Sequence, residues 1–214
     1  MSATVHVVRH GEVHNPEGVL YGRLPDYHLS ELGQAMAERI AQWAAGRDIT
    51  HLASSPLDRA RETIAPVAAV LGVRPGVDDR LIEAANVFEG KRFGVGDGAL
   101  REPSAWWHLR NPFRPSWGEP YDVIAARMLA AIEDAAAAAD GHEALVVSHQ
   151  LPIWTARNAA TGQRLWHDPR VRQCSLASVT SFALVDGEAV GATYEEPAAD
   201  LLPVKPRRRF QVGA

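Results

Sequence analysis

Two short apolar runs constrain this chain more than any other feature. Val5 to Val8 leads into Arg9-His10-Gly11-Glu12, and Ala144-Leu145-Val146-Val147-Ser148 leads into His149. Apolar runs of this length, rich in valine and bounded by polar residues, read as strands buried on both faces. Each run delivers a His at its C-terminal end, and in an open α/β sheet ligands bind at that edge. Arg9 beside the first His points to a phosphate, whose oxygens match a planar, permanently charged fork.

The intervening pattern alternates helix and strand. A helix is predicted from Ser30, with Leu32, Met36, Ile40 and Trp43 on one face and Gly46 near its end. Ile49 to Ala53 reads as a strand. Ser54-Ser55-Pro56 reads as a helix start, with Ser as N-cap, Pro in the first turn, and Leu57, Ala60, Ile64 and Val67 as the buried face. A further amphipathic helix is expected over 121–139, then the strand 144–148 and a short helix after Pro152. Two strand-like runs, about 176–185 and 189–194, flank Asp186-Gly187, a hairpin signal. This order predicts a three-layer α/β/α sandwich around a mostly parallel sheet with an antiparallel edge.

One domain is expected over 1–200, followed by a basic tail, 201–214. Segment 84–119 breaks the pattern. It carries Trp106, Trp107 and Trp117 with Lys91, Arg92, Arg101, Arg110 and Arg114, and no helical or strand period runs through it. It reads as a lid-like insertion over the strand ends, its Trp residues serving as core anchors or as a substrate platform.

With 214 residues, 46% of them apolar, the chain can build one sizeable core. A net charge of −4 argues against nucleic acid or an acidic membrane as partner. The single Cys174 excludes an internal disulfide and fits a reducing compartment. No secretory pattern or long apolar run is visible, so a cytoplasmic protein is expected, without a membrane partner. The nine His show no metal-ligand spacing, so neither metal nor cofactor is expected. The hairpin edge would suit a homodimer.

Several motifs, in order, resemble the histidine phosphatase superfamily, the phosphoglycerate mutase-like proteins. They are Val8-Arg9-His10-Gly11-Glu12 with Asn15, Gly22-Arg23 with Leu29-Ser30, Gly33 and Gln34, Ser54-Ser55-Pro56-Leu57 with Arg59, Ala60 and Thr63, Leu81-Ile82-Glu83, Gly118-Glu119 with Arg127, and Val147-Ser148-His149. The resemblance spans about 4–160. It implies a phosphoglycerate mutase-like fold, His10 as the nucleophile and Glu83 as the family's acid. Chemistry alone would not separate His10 from His149. Two departures stand out. Gln150 follows the second His where the family usually has Gly, and after Glu83 only Phe88-Glu89-Gly90 retains the family pattern.

The resemblance implies transfer of a phosphoryl group, in which catalysis is mostly positioning and neutralisation of oxygen charge. Arg9, Arg59 and a protonated His149 are expected to form the cage. Arg23, Gly22, Gln150 and Asn15 are expected to add phosphate contacts, although Asn15 could equally brace its loop. Glu12 is as suited to structure as to substrate. Glu83 would protonate the leaving oxygen and then activate water, which requires a raised pKa. The expected activity is metal-independent hydrolysis of a small phosphorylated metabolite through a phosphohistidine. The alternatives are a cofactor-dependent phosphoglycerate mutase, for which Lys91, Arg92, Arg110 and Arg114 could hold the carboxylate, and a non-catalytic phospholigand-binding protein.

Overall fold

In the computed structural model, residues 2–92 and 115–202 are described. Most of the expected insertion and nearly all of the basic tail therefore lie outside the described residues, with Trp106, Trp107, Arg101, Arg110, Arg114 and Lys205.

The strands are β1 (Ser2–Arg9), β2 (Ile49–Ser54), β3 (Gly76–Val77), β4 (Glu143–Ser148), β5 (Val179–Val185) and β6 (Glu188–Glu195). They form one sheet in the order β3-β2-β4-β1-β5-β6. β1, β2, β3 and β4 run parallel to one another. β5 runs against β1, and β6 against β5. The expected hairpin thus closes one edge, and its reversed strand is β5, one place in from that edge. Asp186 and Gly187 both take positive φ (51° and 91°). Those are the values a two-residue turn needs to match the strand twist.

The helices are α1 (Glu31–Ala44), α2 (Asp58–Leu71), α3 (Tyr121–Ala138) and α4 (Gln150–Ala160). Alternation along β1 and β4 divides the apolar runs between two cores. Val5, Val7, Ala144 and Val146 pack with Ile124, Met128 and Ile132 of α3 and Ile153 of α4. Val8, Leu145 and Val147 pack with Met36 and Ile40 of α1 and Ala60 and Ile64 of α2. A strand covered on both faces needs no polar alternation, which is why these runs read as continuous apolar stretches.

Ser30 caps α1 as expected: its Oγ accepts from the Gly33 amide at 3.0 Å and donates to Glu12 Oε2 at 2.6 Å. Glu12 thereby buttresses the Ser30 cap. The start of α2 departs from the sequence reading. The helix begins at Asp58 with Leu57 as N-cap and no side-chain cap. The cause is the sheet. Ser54 is still paired with Val147, and the Ser55 amide donates to the Val147 carbonyl at 2.9 Å. The chain cannot turn helical until that pairing ends.

Candidate active site

The site follows from the register of two parallel strands. Arg9 lies opposite Ser148, and the His10 amide extends the ladder to the Ser148 carbonyl at 3.2 Å. His10 and His149 therefore leave adjacent strand ends side by side, with ring centroids 5.1 Å apart. Ser55 leaves the neighbouring end of β2, and its Oγ lies 2.8 Å from His149 Nε2. Three adjacent strand ends thus supply His10, His149 and Ser55. The serine expected to cap a helix instead holds the second histidine.

His10 is fully buried. Its Nδ1 lies 2.7 Å from the Gly11 carbonyl. A carbonyl only accepts, so Nδ1 carries the proton and Nε2 carries the lone pair. That Nε2 is buried and has no hydrogen-bond partner among the described residues. Burial, then the charges of Arg59 and Arg9, push the His10 pKa well below its ordinary value. The result is a neutral imidazole with an available nitrogen.

His149 is equally buried, and burial followed by Arg59, His10 and Arg9 pushes its pKa well down too. This corrects the expectation of a protonated His149. The charged groups that act on the imidazolium are three guanidiniums, of Arg59, Arg9 and Arg127, all opposing its protonation. A phosphate dianion would supply the opposite field.

Arg59 is almost fully buried on the first turn of α2 and donates from Nη2 to the Gly22 carbonyl. Its guanidinium carbon lies 4.8 Å from the centre of the Tyr21 ring. Thr63 fixes this geometry by donating to the Arg59 carbonyl at 2.7 Å while accepting from the Gly11 amide at 3.1 Å. Arg9 is buried as well and donates from Nη1 to the Cys174 carbonyl at 2.7 Å. The charges of both arginines act on His10, His149 and Glu83.

Glu83 is buried, and its Oε1 accepts from the Ala84 amide at 2.8 Å. Its Oε2 is buried and has no hydrogen-bond partner among the described residues. Burial raises its pKa, against the opposing pull of Arg59, Arg172 and Arg9. The strap that carries it is tied down at three points. Ser148 Oγ donates to the Leu81 carbonyl at 2.7 Å, Arg127 to the Arg80 carbonyl, and Arg23 Nε to the Glu83 carbonyl at 2.6 Å. Glu119 links the two arginines, accepting from Arg127 at 2.8 Å and from Arg23 at 2.9 Å.

Three residues expected on phosphate make contacts within the protein. Arg23 is used by Glu83 and Glu119. Both amide atoms of Asn15 bond to Val19, at 2.8 and 3.2 Å, closing the loop on itself. Gly22 offers its carbonyl to Arg59, and its positive φ (40°) together with contact against Glu89 leaves no room for a side chain. Gln150 opens α4 beside His149, and its side chain makes long contacts to the Cys174 carbonyl (3.4 Å) and to Arg172 (3.5 Å). Lys91 and Arg92, the described part of the basic group considered for a carboxylate, are exposed. Arg172 was absent from the sequence reading, and no motif would have revealed it.

The residues brought together are thus His10, His149, Arg9, Arg59 and Glu83: two neutral imidazoles, two guanidinium groups and a carboxyl kept from ionising easily. This arrangement can bind a phosphoryl group, attack it and protonate a leaving oxygen.

Comparison with known proteins agrees with this reading of the fold. Residues 5–196 match the family model of the histidine phosphatase superfamily (branch 1). The chain is 58% identical over 195 residues to the uncharacterized protein Rv0525 of Mycobacterium tuberculosis (strain ATCC 25618 / H37Rv), covering 91% of this chain and 96% of that one. It is 31% identical over 183 residues to a Photorhabdus laumondii protein named probable phosphoglycerate mutase GpmB, covering 82% and 83%. The solved structure of a mycobacterial glucosyl-3-phosphoglycerate phosphatase superposes with a TM-score of 0.68 at 23% identity, covering 92% and 98%, and shares the fold. With the family match running over nearly the whole described chain and the two strand-end histidines side by side, the chain belongs to the histidine phosphatase superfamily.

Proposed function

We propose that this chain is a metal-independent phosphomonoesterase acting on a small phosphorylated metabolite through a phosphohistidine at His10. The observation that carries the reading is the state of His10. The Gly11 carbonyl fixes its proton on Nδ1, and Nε2 is left buried, neutral and unpartnered among the described residues. A nitrogen in that state is a nucleophile ready for in-line attack.

The steps follow from the surrounding groups. Nε2 attacks phosphorus, the N–P bond forms and the ester P–O bond breaks. Glu83, protonated while buried, gives its proton to the departing oxygen. Arg9 and Arg59 neutralise the peripheral oxygens, which is the role a metal fills in other phosphoryl-transfer sites. The Glu83 carboxylate then takes a proton from water as that water attacks the phosphohistidine. The N–P bond breaks, phosphate leaves, and both His10 and Glu83 regain their starting states. His149, held by Ser55, faces the same group and gains a reason to protonate only when phosphate charge arrives.

The test is phosphate release from a panel of monoesters with and without chelator, in the wild type and His10→Ala. Release that survives chelator and is lost in His10→Ala, with an acid-labile phosphoenzyme trapped on His10, is the expected result. Binding of phosphate without turnover, unchanged by His10→Ala, would replace this reading with a binding protein. The relative named as a mutase makes phosphoryl return the competing chemistry. Phosphoglycerate exchange faster than hydrolysis would replace phosphatase with mutase.

A further inference from the structure

Two arginines lie two residues apart after α4, and the fold treats them oppositely. Arg170 is exposed and pairs with Asp168, which also caps the short turn Pro169–Val171. Arg172 is half-buried and turns inward. Among the described residues no carboxylate lies within ion-pair distance of it. Its Nε donates to His167 Nε2 at 2.8 Å, and His167 Nδ1 in turn lies 2.6 Å from the Leu165 carbonyl. The proton of His167 is therefore on Nδ1 and its ring is neutral, in keeping with burial lowering its pKa to about 4. Arg172 thus has an acceptor for one N–H and, among the described residues, no ion pair; the acidic groups that act on its charge from further off are Tyr121, Glu83 and Cys174.

Its position gives that charge a purpose. Nη1 makes a long contact, 3.5 Å, to Oε1 of Gln150, the residue after His149. The Gln150 amide reaches the Cys174 carbonyl at 3.4 Å, and that same carbonyl receives Arg9 Nη1. Arg172 is in this way tied to the phosphate cage but stands outside it. Its charge acts on Glu83, the group that would face the departing alcohol. A partly buried guanidinium without an ion pair is a ready partner for an anionic ligand. Its planar fork suits a carboxylate or phosphate. The Gln at 150, where the family usually has Gly, is the piece that braces Arg172 against the loop.

We propose that Arg172 binds a second anionic group on the leaving-group side, so that the substrate is a phosphate monoester whose alcohol portion itself carries an anion. This rests on the phosphomonoesterase reading for its chemistry, but the binding it requires can be measured without turnover.

The experiment compares two matched pairs of probes: 3-phosphoglycerate with glycerol 3-phosphate, and fructose 1,6-bisphosphate with fructose 6-phosphate. Binding is measured by calorimetry in a His10→Ala background, which cannot turn over, and kcat/KM is measured in the active enzyme. Arg172→Gln keeps a hydrogen-bonding group of similar reach and removes the charge; Arg172→Lys keeps the charge and loses the fork. In the Arg172 protein, at least one pair should show a preference for the doubly anionic member of about tenfold to a hundredfold, the range of charge-assisted bonds. Which pair shows it decides between carboxylate and phosphate. Arg172→Gln should bring that preference to within about twofold, mainly through KM, with a larger loss on the doubly anionic probe than on the singly anionic one, and Arg172→Lys should restore part of it. An equal loss on both members, no preference in either pair, or no binding of any probe would overturn the proposal. An Arg172-dependent preference in binding with no hydrolysis of any ester would uphold it while removing the phosphomonoesterase reading.

Discussion

Glu83→Gln separates the chemical role of the carboxyl from its structural one. The replacement has nearly the same shape. Its side-chain carbonyl can keep the 2.8 Å bond from the Ala84 amide, and the strap stays tied through backbone carbonyls at Arg80, Leu81 and Glu83. The proton to be donated is what disappears. General acid catalysis contributes about 10²- to 10⁴-fold, so kcat/KM for an alkyl phosphate, which reports the phosphorylation step, should fall by about that factor. An aryl ester such as 4-nitrophenyl phosphate departs as a stable phenolate and should lose about tenfold or less. Stability should move the other way. Burial raises the folded pKa of Glu83, so its linkage favours the fold below the unfolded value and is lost as pH rises through the folded value. At neutral pH the ionisable carboxyl is a burden that the neutral amide lacks, and the melting temperature of Glu83→Gln should equal or exceed that of the wild type. The assays are steady-state kinetics on the two esters across pH and a melting curve. In the wild type the descending limb of kcat/KM at high pH reports Glu83, and it should vanish in the variant. Equal losses of kcat/KM on alkyl and aryl esters, or a descending limb of kcat/KM that persists, would refute the assignment of Glu83 as acid.

Other consequences follow from single contacts. Ser55→Ala removes the hydrogen bond to His149 Nε2; with a net value near 0.5–1.5 kcal/mol for such a bond, kcat should fall by about 2- to 12-fold with little change in melting temperature, and an unchanged kcat would deny Ser55 its positioning role. Gly33→Ala places a Cβ 2.0 Å from the Glu12 carbonyl oxygen, a backbone atom fixed by the Ser30 amide; overpacking of this kind costs about 1–3 kcal/mol, readable as a lowered urea midpoint, whereas Gly191→Ala, with nothing within 4 Å, should leave the midpoint in place. The pKa values of His6, His10, His149 and His167 are all lowered chiefly by burial. Each is neutral in the fold and takes up a proton more readily when unfolded, so its contribution is complete above the unfolded value near 6.5 and is lost as pH falls below it. The melting temperature should therefore drop between about pH 7 and 5, and a flat profile would count against these buried neutral rings.

The parts of this site that the chain declares openly are those set by strand period and by register. Val5, Val7 and Val8 have to be buried, and a parallel partner with the same pattern has to bring His149 beside His10. The Ser30 cap was legible for a similar reason, because its signal is local. The sequence is ambiguous where a residue type is shared by two physical roles. Ser54-Ser55-Pro56 carries a helix-start signal, yet pairing with Val147 outweighs it and turns Ser55 into a partner of His149. Arg23 and Asn15 suit phosphate, but guanidinium and amide groups bond carbonyls just as well, and the loops needed them. The protonation of His149 depends on burial and on the charges of Arg59, Arg9 and Arg127, none of which can be read one residue at a time.

Arg172 is the sharpest case, because nothing in Arg170-Val171-Arg172 distinguishes its two arginines. What separates them is Asp168, which neutralises one at the surface, and the neutral ring of His167, which accepts from the other without neutralising it. Motifs mark the groups that handle the phosphoryl centre, since every substrate of such an enzyme presents the same centre. The group proposed to meet the rest of the substrate lies in an irregular loop, and the case for it rests on the absence of an ion pair to Arg172 among the described residues.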